Sequence, residues 1–182
     1  LSVDIDLAYL PLEPRNEALM NVRAALQRIT DTINTQPKTK AVFQDNKVDE
    51  LRLVVSSPDA TIKIEVSPVA RGTLHQPVVM QVQESVEDEF GYAEIQVVSL
   101  PDLYGGKLCA AMDRQHPRDL FDVRMLLENE GISREILVGF LTYALSHPRP
   151  INEVMAPNWQ PLSEKFNAEF DGMTFESVEL EN

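Results

Sequence analysis

The sequence predicts an α+β fold, a mixed sheet with helices followed by a C-terminal helical bundle. Three observations predict it. Short segments of the first half alternate apolar with polar residues, the period of half-buried strands. One long segment among them repeats its apolar residues at helical spacing. Beyond residue 98 the pattern is helical and is punctuated by caps and prolines. A core at residues 1–98 and a helical part packed on it at 99–182 follow from this change of pattern.

In the first strand, Val3, Ile5 and Leu7 alternate with Ser2, Asp4 and Asp6. Pro11, Pro14 and Arg15 then mark a turn. Residues 16–33 read as an amphipathic helix, with Leu19, Val22, Leu26, Ile29 and Ile33 on one stripe. Residues 34–46 are polar loop around a short strand at Ala41, Val42 and Phe43. Leu51, Leu53 and Val55, the turn residues Ser56-Ser57-Pro58-Asp59, and Ile62, Ile64 and Val66 make an antiparallel hairpin. Residues 77–83 and 93–98 read as two more strands, joined by a solvated acidic loop at 84–89.

Ser99 and Asp102 stand in capping-box positions and open a helix that runs to Arg114. Gly105-Gly106 weakens that helix unless another backbone passes close by. Pro117 opens a second helix, which Gly131 stops, and Ser133 opens a third, through Ala144. The tail carries four prolines and a short helix at 162–170. Trp159, Phe166, Phe170 and Phe175 are expected to anchor it.

The bulk numbers narrow the function classes. The chain has 182 residues, 43% of them hydrophobic, which suits one domain or one domain with an appendage. Its formal net charge of −13 argues against a broad basic surface for nucleic acid. Clustered carboxylates of this kind are costly without a cation. No apolar run approaches the roughly 18–20 residues that span a bilayer, so no membrane partner is expected. The single cysteine, Cys109, excludes an internal disulfide and a Cys-based zinc site, and implies a reducing, cytoplasmic setting. It reads as a small buried residue. His75, His116 and His147 are scattered, and read as surface or capping residues.

Two clusters could carry chemistry. Asp is disfavoured in strands, yet Asp4 and Asp6 share one strand face. Carboxylates roughly 6–7 Å apart along a strand can converge on a divalent ion. An acidic, solvated edge is the competing reading. Glu65 is polar on an otherwise apolar strand. It is either a third acid for the same ion or an outward Glu paired with Lys63 or a cross-strand cation. In the second cluster, Lys107, Ala110, Ala111 and Arg114 share a helix face. The alanines leave room for a ligand, and the cations can reach phosphate oxygens. Arg118 and Asp119 follow in the first turn of the next helix. A salt-bridged helical corner, with Arg114 and Arg118 paired to Asp119 and Asp122, explains the same residues.

Taken together, Ser2-x-Asp4-Ile5-Asp6-Leu7, the strand Ile62-Lys63-Ile64-Glu65-Val66, and Lys107-x-x-Ala110-x-x-x-Arg114-x-x-x-Arg118-Asp119-x-x-Asp122 resemble the AbiEii family of nucleotidyltransferases. These are toxin-type members of the DNA polymerase β-like superfamily. The resemblance implies a nucleotidyltransferase-like sheet, NTP as substrate and Mg²⁺ (or Mn²⁺) as cofactor. It implies RNA, tRNA above all, as acceptor, and a cognate antitoxin protein as partner. By position, Asp4, Asp6 and Glu65 would be metal ligands, with Glu65 also helping to activate the attacking hydroxyl. Ser2, Lys107, Arg114 and Arg118 would hold nucleotide phosphates, and Asp119 would anchor or polarise the lysine-containing site. The family pattern has a Gly-Gly or Gly-Ser turn upstream of the paired acids, and this sequence starts at Leu1 without it. An N-terminally truncated core, lacking a helix and loop before Leu1, is therefore expected. Two other functions compete: a catalytically inactive binding protein with the same fold, and a small-molecule nucleotidyltransferase of the aminoglycoside-modifying type.

Overall fold

The computed structural model describes residues 4–44, 51–67, 72–174 and 177–180. They form two compact units, Ser2–Thr73 and Leu74–Asn182.

The first unit is a four-stranded mixed sheet with one helix. Its strands are β1 (Ile5–Leu7), β2 (Lys40–Gln44), β3 (Arg52–Ser56) and β4 (Thr61–Val66), in the order β1-β4-β3-β2. β1 runs parallel to β4, and the other neighbours are antiparallel. Parallel strands need a crossover, and α1 (Arg15–Ile33) follows β1. Leu19, Val22 and Leu26 of α1 pack against Ala41, Leu53 and Val66, with Leu7, Phe43, Val55 and Ile64 around them. Strand alternation puts all of these sheet residues on one face. Ile5, on the edge strand, is 45% exposed, so its half of the expected apolar face is thin. The Asn34 side chain accepts from the Ala41 amide at 2.8 Å and donates to its carbonyl at 3.0 Å. It thus stands in for a strand neighbour on β2.

The β3–β4 hairpin closes as the sequence predicts. Ser57 Oγ accepts from the amides of Asp59 and Ala60, and Ser56 pairs with Thr61.

The second unit opens with a hairpin of β5 (Val78–Gln81) and β6 (Glu94–Val97), which among the described residues pair only with each other. The acidic segment between them is the helix α2 (Glu84–Phe90), where the sequence suggested a loop. Glu84 and Glu87 in its first turn complement the positive helix end, and Gly91, at φ +89°, ends it. None of its residues is buried, so the expected solvation holds.

The bundle consists of α3 (Leu100–Arg114), α4 (Pro117–Asn129), α5 (Arg134–Leu145), α6 (Ile151–Met155) and α7 (Ser163–Glu169). Ser99 and Ser133 cap α3 and α5 through Asp102 N and Ile136 N. Gly131, at φ +70°, donates to Leu126 O and closes α4. The short α6 after Pro150 was not expected. The compact units divide between Thr73 and Leu74, ahead of the 98/99 boundary drawn from the sequence. The amides of Leu74 and His75 donate to the Asp102 carboxylate, which ties the segment ahead of β5 to α3.

Gly105 is where α3 meets α5. A Cβ there would lie 2.6 Å from the Gly139 carbonyl carbon, and one on Gly139 would lie 2.5 Å from Pro101 O. Around Gly106 there is open space. Gly105→Ala is therefore expected to destabilise by about 2–3 kcal/mol, because backbone must move. Gly106→Ala should be neutral or stabilising by up to about 1 kcal/mol. Urea unfolding of the two variants checks the contrast.

In the tail, Phe166 and Phe170 are buried, and Phe170 meets Phe121 in a tilted contact with centroids 5.4 Å apart. Trp159 is 60% exposed and does not anchor the tail. Its neighbours do: Gln115 donates to Asn158 O and accepts from Gln160 N. Phe175 lies outside the described residues.

Candidate active site

Asp4, Asp6 and Glu65 of the first unit stand on the sheet face opposite α1. Asp6 is the register partner of Glu65 across β1 and β4, so their side chains leave the sheet on the same side. Asp4, two residues before Asp6, shares that side. Lys63 of β4 and Arg52 of β3 are there too, since Arg52 is the register partner of Glu65. Lys63 Nζ lies 3.8 Å from Asp4 Oδ1, and Arg52 Nε lies 2.5 Å from Glu65 Oε1. Ser2 lies outside the described residues.

Three carboxylates on one face supply the hard oxygen donors that Mg²⁺ or Mn²⁺ prefers. Donor chemistry and sheet register fit such an ion. The side-chain positions are those of an ion-paired face, however. Among the described residues, no three His, Cys, Asp or Glu side chains are clustered closely enough to hold a metal ion.

The second cluster lies at the α3–α4 corner. Gln115 joins the helices in a left-handed conformation at φ 48°. His116 caps α4 by accepting from Arg118 N, and its Nε2 meets Glu169 at 2.7 Å. The turn brings the ends of α3 and α4 together. Lys107 pairs with Asp122, and Arg114 Nη2 meets Asp119 Oδ1 at 2.7 Å. The carboxylate beside Lys107 is therefore Asp122, one turn beyond the Asp119 named from the sequence. Asp119 serves Arg114, and its other oxygen is buried with no hydrogen-bond partner among the described residues. Arg118 lies near the tail. The His116 hydrogen bond holds the Glu169 carboxyl below its usual range, and the charges of Lys165 and Arg118 add to it.

The expected small-residue role of Cys109 holds. It is buried, and burial raises its thiol pKa, with the Asp113 charge adding to this.

Sequence reasoning passed over three residues. Arg52 was readable, because a turn that pairs Ser56 with Thr61 puts Arg52 beside Glu65. Asp122 was present in the motif, but choosing between it and Asp119 needs the helix crossing. Asp102 appeared only as a cap residue. Its carboxylate, 1% exposed, accepts from Ser99 Oγ, Tyr143 Oη and the amides of Leu74 and His75, and His75 Nδ1 lies 3.1 Å away. Burial alone would raise its pKa, but these hydrogen bonds outweigh it and hold the carboxyl below its ordinary value. The Tyr143 hydroxyl is pushed up, first by burial and then by Asp102.

No described helix is long and apolar enough to cross a membrane. No curated protein and no solved structure matches the chain. The model of one family, described as nucleotidyl transferase AbiEii toxin, type IV TA system, matches residues 1–179. The sheet with its paired acids and the helical unit with its Lys-Arg face all fall within that match, and the chain belongs to the AbiEii nucleotidyl transferase toxin family.

Proposed function

We propose that the chain moves a nucleotide from an NTP to a hydroxyl of an RNA acceptor, tRNA first, with Mg²⁺ or Mn²⁺ as cofactor, as the toxin of a toxin–antitoxin pair. The cognate antitoxin protein is the proposed partner, and the single cysteine accords with a cytoplasmic setting. Beside the family match, one observation carries this reading: Asp6 and Glu65 are register partners, with Asp4 on the same sheet face.

In this reading Asp4, Asp6 and Glu65 hold the divalent ion. When bound, such an ion lowers the pKa of an attacking hydroxyl and neutralises a leaving pyrophosphate. Glu65 is assigned to help activate the attacking hydroxyl by taking its proton. Lys107, Arg114 and Arg118 are assigned to nucleotide phosphates, with Ser2 near the β- and γ-phosphates. Asp119 orients Arg114 and Asp122 orients Lys107, through the ion pairs described above. A guanidinium held by a carboxylate keeps its remaining N–H groups directed outward, ready for phosphate oxygens.

The ion pairs of Asp4 and Glu65 favour a second reading, a catalytically inactive protein of the same fold. Incubation with each labelled NTP, Mg²⁺ or Mn²⁺, and total tRNA or an aminoglycoside separates these possibilities. Metal-dependent label on tRNA supports the main reading. Label on the aminoglycoside moves the acceptor to a cationic small molecule, which the charge of −13 suits. Label on neither supports the inactive protein. Within the same assay, Lys107→Met should raise the NTP concentration for half-maximal transfer by about tenfold, the scale of one charge-assisted phosphate contact. Lys107→Arg should recover part of it. An unchanged requirement in Lys107→Met would remove that residue from the phosphate site.

A further inference from the structure

We propose that Arg52 and Lys63 are built-in counter-cations of the acidic sheet face, which hold Glu65 and Asp4 until a divalent ion displaces them. The proposal rests on the assignment of Asp4, Asp6 and Glu65 as metal ligands. Three observations carry it.

First, the cations are matched to the acids by the sheet itself. Arg52 is the register partner of Glu65, and Glu65 is in turn the register partner of Asp6. Lys63 is two residues from Glu65 on β4 and reaches Asp4. A pairing fixed by backbone register survives side-chain motion, because the Cα atoms stay about 5 Å apart across strands.

Second, the pairs are contacts of charge and little else. Arg52 Nε is buried and lies 2.5 Å from Glu65 Oε1, yet makes no aligned hydrogen bond among the described residues. The Lys63–Asp4 separation of 3.8 Å is beyond hydrogen-bond reach. Half-exposed pairs of this kind are weak, so a bound ion can replace them.

Third, the face needs cations. Three carboxylates on neighbouring positions repel one another, and the whole chain is strongly acidic. Arg52 and Lys63 supply positive charge on that face, against Glu65 and Asp4. They would keep the face folded without metal, and would set how much free metal is needed to load it.

Mn²⁺ alone, titrated calorimetrically into the full chain, tests the idea without any turnover. Arg52→Gln and Lys63→Gln should each bind Mn²⁺ about fivefold more tightly than wild type. Without ion each variant should melt below wild type, and saturating Mn²⁺ should close that gap. Lys40→Gln is the control, since Lys40 is on the same face but opposite Ser56. It should change affinity by less than about twofold, as expected of a screened, more distant charge. Unaltered affinity in both variants, or an equal gain in Lys40→Gln, overturns the counter-cation role while leaving the metal ligands in place. Absence of Mn²⁺ binding in wild type and variants alike overturns the metal assignment, and the counter-cation role with it.

Discussion

Asp102→Ala is expected to destabilise the protein by about 3–5 kcal/mol, the range for losing a buried, hydrogen-bonded charge. The carboxylate is 1% exposed and receives four donors from three places: the segment at Leu74 and His75, the α3 cap, and Tyr143 of α5. Alanine would leave these donors facing a cavity. Asn should be almost as harmful, because its amide N–H₂ would meet donors where acceptors are needed. The effect has a pH signature. The folded carboxyl sits below its ordinary value, so the unfolded chain binds the proton more readily. Its contribution is complete above the unfolded value of about 4, and is lost as pH falls through the depressed folded value. Urea unfolding from pH 7 downward should therefore show wild type losing its advantage over Asp102→Ala on the acid side. A constant gap across the acid range would mean that the hydrogen bonds do not favour the charged form.

Asp6→Asn is expected to reduce nucleotide transfer by about a thousandfold or more, equivalent to roughly 4 kcal/mol of transition-state stabilisation at 1.4 kcal/mol per decade. The substitution keeps shape and removes the charge that an ion would need. Asp6 is exposed on a short edge strand, so stability should change by no more than about 0.5 kcal/mol. Asp4→Asn should lower activity on the same scale, and it also removes the partner of Lys63. The measurement is label transfer beside a thermal melt. Wild-type activity in a folded Asp6→Asn protein would refute the metal assignment. Loss of activity together with the fold would leave Asp4→Asn as the deciding variant.

Local signals were strong enough to be read from residues alone in some places. The stripe from Leu19 to Ile33 specified α1, because apolar residues at helical spacing can be buried in only one way. Ser99, Ser133 and Gly131 marked helix ends, since a hydroxyl or a positive φ satisfies the end groups whatever lies beyond. Helix α2 was missed because its seven residues, mostly acidic and without a buried stripe, give little periodicity. The tail helix α6 is shorter still, and Val154 is its one buried residue. Gly105 illustrates the boundary between the two kinds of information. The glycine pair suggested a close approach, but nothing in the sequence told which glycine makes it or that Gly139 lies across from it.

The amino-acid sequence by itself determined the α+β class, the alternating faces of the sheet, most helix ends and the membership of the AbiEii family. Each of these is a property of residues near one another in the chain, or of their order along it. Only the tertiary structure decided which cation meets which acid: Arg52 with Glu65, Lys107 with Asp122, Arg114 with Asp119, and four donors on Asp102. Periodicity assigns a side chain to a face, whereas a partner is chosen by strand register and by the angle at which helices cross. Those depend on long-range packing, such as the glycine contact of α3 with α5, which no local pattern of residues encodes.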